Sequence, residues 1–123
     1  MILVDTSIWI DHLRAGSPAL SGLLEAGRCC CHPFVIGELA CGNLGKRQEI
    51  LGLLQSLPSL SAATDAETLF FIERHRLMGR GIGYVDVHLL AATAIHGARL
   101  WTRDKRLKDI AEALGLANLA EAH

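Results

Sequence analysis

Short apolar runs suited to buried strands alternate with amphipathic helical stretches along almost the whole chain, and this alternation constrains the fold more than any other feature. Strands that take turns with helices inside one domain build a mostly parallel sheet with helices on both faces. The apolar runs predict strands at residues 2–5, 28–31, 59–62 and 99–102, the third of them weak, and a last short strand at 117–119. Helical periodicity and end signals fill the intervals. The first helix carries Ile8, Trp9 and Leu13 on one side and ends near Gly16. Ser17 and Pro18 read as the cap and first position of the next, which stops at Gly27. Pro33 opens a helix to about Cys41, and residues 45–57 form another with Ile50, Leu53, Leu54 and Leu57 on one face. Thr64 or Asp65 caps a helix to about Met78, with Glu67 at capping-box spacing from Thr64. Residues 84–96 and 105–114 are helical and end at Gly97 and Gly115. The glycines at 79, 81 and 83 match no phosphate-binding loop and read as a flexible connection.

A chain of 123 residues fits one compact domain over residues 1–123. With only six aromatic residues, its core must be built from Leu, Ile, Val and Ala. The apolar runs are too short to span a membrane, and Met1 leads into Ile2 with no basic leader, so a cytoplasmic protein without membrane contact is expected. A formal net charge of −1 excludes bulk attraction to nucleic acid; any such contact must be local. Cys29, Cys30, Cys31 and Cys41 contain no C-x-x-C pair, and neighbouring cysteines in a strand point to opposite faces. They read as small apolar residues rather than a zinc site.

In parallel sheets the site lies beyond the carboxyl ends of the strands, where strand order reverses. Asp5 and Asp104 fall there, each beside a hydroxyl: Thr6 and Ser7 next to the first, Thr102 before the second. Asp86 shares a helix face with Leu89, Leu90 and Thr93, and Glu38 one with Phe34, Val35 and Cys41. An acid in an inward-facing row is destabilising unless it is paired or holds a cation. Simpler roles exist for each: Asp5 and Asp104 as helix caps, Asp86 as cap of a helix that starts later, Glu38 as partner of a buried arginine. The six histidines show no paired spacing, and most read as surface or partly buried residues, with His12 nearest the expected cleft.

The runs Ile2-Leu3-Val4-Asp5-Thr6-Ser7, Gly37-Glu38-Leu39, Tyr84 through Ala92, and Leu100-Trp101-Thr102-Arg103-Asp104 occur in an order and spacing that resembles the PIN domain, and within it the VapC type of toxin from prokaryotic toxin–antitoxin pairs. The resemblance covers essentially the whole chain. It implies a three-layer α/β/α domain with a short, mostly parallel central sheet. The family's acids fall on Asp5, Glu38, Asp86 and Asp104, and its hydroxyls on Thr6 and Thr102. One departure is Lys105-Arg106-Leu107, where the last motif often continues with an acid and an aromatic.

The activity implied is that of an endoribonuclease dependent on Mg2+ or Mn2+, the ions that hard oxygen ligands select. Asp5, Asp86 and Asp104 would hold the metal, Glu38 would handle the attacking water, and Thr6 and Thr102 would orient carboxylates. Arg103, Lys105 and Arg106 stand beside Asp104 and are the candidate RNA phosphate contacts. The resemblance further implies a VapB-type antitoxin laid in a groove near the site, with Ile8, Trp9 and Leu13 as candidate lining, and a homodimer. Two other readings stay open: a catalytically silent PIN fold that binds a partner, and a phosphoacceptor signalling domain. The second needs an acid at the end of a central strand and a lysine after a late one.

Overall fold

The computed structural model describes residues 1–118. It contains β1 (Ile2–Val4), α1 (Thr6–Ala15), α2 (Pro18–Glu25), β2 (Cys29–Cys30), α3 (Pro33–Ala40), α4 (Arg47–Ser56), α5 (Asp65–His75), α6 (Tyr84–His96), β3 (Arg99–Trp101) and α7 (Lys105–Ala113). The three strands form one parallel sheet in the order β2-β1-β3. Leu3 pairs with Cys30 on one side and Leu100 on the other, which makes β1 the central strand. Side chains along a strand alternate between faces. Ile2, Leu3 and Val4 are nevertheless all buried, so both faces of the sheet are covered and the fold is a three-layer α/β/α domain.

The core is largely aliphatic, as the composition requires: Leu3, Ile8, Leu20, Val35, Leu89, Leu90, Leu100 and Leu107 are all fully buried. Trp101 and Trp9 join them. In α6 every residue from 87 to 93 is buried, the pattern of a helix packed on all sides. Cys29, Cys30 and Cys31 are buried free thiols, Cys30 pushed up to about 11 by burial, so they are inert core residues. No helix among the described residues is long and apolar enough to cross a membrane.

Several predicted boundaries shift. The strand expected at 59–62 is a single parallel bridge between Cys31 and Ser59. Pro58 precedes it, and of residues 59–62 only Leu60 is large enough to bury apolar surface, so little holds a longer pairing. The last strand is likewise one bridge, Leu100 to Ala117; its expected end at Leu119 lies outside the described residues. The helix expected to reach Met78 ends at His75 because Arg76 turns left-handed at φ 53°. Its start is as expected, with Thr64 and Glu67 making both bonds of a capping box.

Candidate active site

The four acids arrive from four places in the chain. Asp5 follows the central strand, and its N–H donates to the carbonyl of Trp101 at 2.9 Å, which ties it to the end of β3. Its carboxylate is buried, at 7% exposure. Oδ2 accepts from Thr102 Oγ1 at 2.7 Å and from Ser7 Oγ at 3.0 Å. Asp5 occupies the N-cap position of α1, yet its side chain caps nothing, so the capping reading of this residue fails. Asp86 is the third residue of α6, and its Oδ2 accepts from the N–H of Gly83 at 3.1 Å.

Asp104 does cap α7: Oδ1 accepts from Leu107 N–H at 3.0 Å. Its own N–H donates to Thr102 Oγ1 at 3.1 Å. The Thr102 hydroxyl therefore donates to Asp5 while accepting from Asp104, and locks the two strand ends together. Glu38 Oε1 accepts from Thr6 Oγ1 at 2.7 Å, so the residue after Asp5 holds the acid on α3. Glu38 and Cys41 are exposed, and their expected inward-facing row is corrected. An eight-residue helix with Val35 and Leu39 already buried turns the rest of its surface to solvent.

The Asp86 carboxyl feels the other three acids. Burial pushes the Asp86 carboxyl above its ordinary value. The Gly83 N–H opposes this, and the negative charges of Asp5, Asp104 and Glu38 add to it. The ion pairs seen among the described residues, those of His88, Arg103 and Lys105, engage none of the four. Each acid is held by one oxygen, and among the described residues no donor is seen on the other. The acids do not close into one cluster: no three His, Cys, Asp or Glu side chains of the described residues stand close enough to chelate an ion. The donor set nonetheless suits a hard divalent cation, being all carboxylate, unneutralised and half uncommitted.

Residues 2–113 match the PIN domain. The chain belongs to the PIN domain family. Its relatives place it in the VapC branch. It is 51% identical to Ribonuclease VapC32 of Mycobacterium tuberculosis over 122 residues, covering 98% of each chain. It is 36% identical to Ribonuclease VapC11 of the same organism over 129 residues, which covers 94% of this chain and 96% of that one.

Two of the candidate phosphate contacts are paired within the fold. The Arg103 guanidinium pairs with Asp11, and Lys105 Nζ binds Asp109 one turn along α7 at 3.1 Å. Arg106 lies over Gly81, where an added Cβ would come within 2.6 Å of its Nη1. Gly81 also sits at φ 80°, so the connection before α6 requires glycine here. The histidine reading is corrected too. His32 and His88 are buried, because Phe34 packs edge-on against both rings. His12 is used in the turn after α1, accepting from Ser17 N–H at 3.0 Å.

A groove lies beside Glu38, and two of the three expected lining residues, Trp9 and Leu13, line it. A cavity of about 620 Å³ runs from Glu38 past Ile10, Leu13, Asn43 and Ile50. A smaller apolar one, about 240 Å³, continues it past Leu13, Leu53 and Leu57 with Trp9 at its floor. Ile8 is fully buried and takes no part, since it packs on the sheet directly after β1. Ser7 and Asp11 were not among the sequence candidates; the first holds Asp5 and the second holds Arg103. Both also meet Arg103, more than ninety positions away, which no local pattern reveals.

The two roles of Asp104 separate by substitution. Asparagine caps helices as well as aspartate does, and alanine does not. Asp104→Ala is expected to lower stability by about 1 kcal/mol in urea unfolding, and Asp104→Asn by a few tenths at most. Equal losses would mean that the cap is not what Asp104 contributes to folding.

Proposed function

We propose that this PIN domain is a divalent-metal-dependent endoribonuclease and the toxin of a VapBC-type pair, acting in the cytoplasm. The observation that carries the reading is that the negative charges of Asp5, Glu38 and Asp104 all act on Asp86, and that the ion pairs seen among the described residues engage none of the four. The names of relatives spanning nearly the whole chain, Ribonuclease VapC32 and Ribonuclease VapC11, support RNA as the substrate.

Asp5 and Asp86 would be the main ligands for Mg2+ or Mn2+, and Asp104 would complete the set. A divalent ion at such a site activates water and stabilises charge on phosphate oxygens. Glu38, exposed and oriented by Thr6, takes the proton of the attacking water. Thr102 keeps Asp5 and Asp104 aligned. Attack on phosphorus with departure of the 3′ oxygen leaves a 3′-hydroxyl and a 5′-phosphate. Arg106 and Lys105, both exposed, are the candidate phosphate contacts, while Arg103 is paired with Asp11.

The apolar groove beside Glu38 is the seat proposed for a VapB-type antitoxin segment. Leu69 and Phe70 stand exposed side by side on α5 and supply apolar surface of the kind a homodimer buries. The test is cleavage of RNA by the purified chain with Mg2+ or Mn2+. Activity that stops with EDTA and yields 5′-phosphate ends is expected. Cleavage that persists in EDTA, or yields cyclic phosphates, would overturn the metal assignment. An inert, RNA-binding chain would favour a silent binding module.

A further inference from the structure

Ser7 and Asp11 lie four residues apart on α1, so both face the same side of that helix. That side meets the segment after β3. Ser7 Oγ accepts from the N–H of Arg103 at 3.1 Å and donates to Asp5 Oδ2 at 3.0 Å. Asp11 holds the Arg103 side chain. With the Thr102–Asp5 bond, residues 102 and 103 are fastened to Asp5 and α1 at three points, immediately before Asp104. We propose that Asp11 and Arg103 form a positioning pair: Asp11, through Arg103, fixes the main chain that carries Asp104 and so aims its free oxygen at the site. This rests on the metal-dependent reading above.

The pair is partly exposed, with side chains 43% and 49% accessible. Exposed ion pairs add little to stability. Its effect is therefore expected on geometry at the site and not on the melting temperature. Outer partners of metal ligands change metal affinity by roughly tenfold or more when removed. Arg103 as a free phosphate contact is the competing role, and it predicts a different pattern.

The experiment uses the full chain and four variants: Asp11→Asn, Arg103→Gln, the double variant, and Asp11→Glu as the conservative control. Three quantities are read: Mn2+ affinity without RNA, amide exchange at Arg103 and Asp104, and kcat and KM for RNA. Asp11→Asn and Arg103→Gln are each expected to weaken Mn2+ binding about tenfold. Both should speed exchange at the two amides and lower kcat with KM little changed. The double variant should be no worse than either alone, and Asp11→Glu should restore most of the loss. Wild-type Mn2+ affinity and exchange in Asp11→Asn would overturn the proposal. So would an Arg103→Gln defect confined to KM. If the wild-type chain itself neither binds Mn2+ nor cuts RNA, the metal-dependent reading fails. The exchange rates then decide whether Asp11 still positions the segment.

Discussion

Asp5→Asn is expected to slow RNA cleavage by about a thousandfold while leaving the fold in place. The exchange removes one charge and almost no volume. Asparagine keeps a carbonyl oxygen that can accept from Thr102 or Ser7, so the bonds that seat the side chain between β1 and β3 survive in weaker form. Asp5 makes no cap bond, so α1 loses nothing at its start. Relief of repulsion with Asp86 offsets part of the weakened hydrogen bonding, and stability should move by about 1 kcal/mol or less. An amide is a far poorer ligand for a hard cation than a carboxylate. Losing an ion that supplies several kcal/mol to the transition state is a factor of about 1,000 or more in rate. Single-turnover cleavage alongside circular dichroism checks both halves. Near-normal cleavage, or a collapsed spectrum, contradicts the role given to Asp5.

His32 is expected to make the domain acid-sensitive by about 3 kcal/mol. It is fully buried, and its Nδ1 accepts from the N–H of Phe34 at the start of α3. The proton of the neutral ring is thus assigned to Nε2, which has no hydrogen-bond partner among the described residues. Burial first, then the nearby charges of His88 and His96, lower its pKa from 6.5 to about 4. The sign follows from linkage: as pH falls below 6.5 the unfolded chain takes up a proton that the folded ring refuses. Stability is complete above that value and declines until about pH 4. A gap of roughly 2.5 units corresponds to about 3 kcal/mol. His32→Asn retains an oxygen able to cap α3 and removes the titration. Urea unfolding between pH 7 and 4 should therefore be less steep in the variant, the remaining slope belonging to the carboxylates. Parallel pH profiles would show that His32 does not titrate differently on folding.

Much of this fold is written in short-range patterns. The apolar runs at β1 and β3, the Ser17-Pro18 start of α2, the Thr64–Glu67 capping box and the Gly97 stop of α6 are each local chemistry. The four acids were legible because two terminate strands and one interrupts a buried helical face. The reason for singling out Glu38 was partly wrong, since its face is open to solvent and its partner is Thr6 rather than an arginine. What stayed hidden depends on long-range packing. Nothing near Ile8 says that it faces the sheet while Leu13 faces a groove. Nothing near Arg103 reveals that Asp11 already holds it, and Arg76 gives no glycine to announce the end of α5. Residues 59–62 show the converse case, a run with strand character that the tertiary structure uses for one bridge.

Mn2+ binding to the RNA-free protein tests the shared carboxylate site most directly. Titration of the wild-type chain, followed by manganese resonance, should show saturable binding. Asp5→Asn, Asp86→Asn and Asp104→Asn should each weaken it by roughly tenfold or more, with Glu38→Gln affecting it least. Binding that is absent in the wild type, or indifferent to all of these substitutions, would mean that the acids do not act together on one ion.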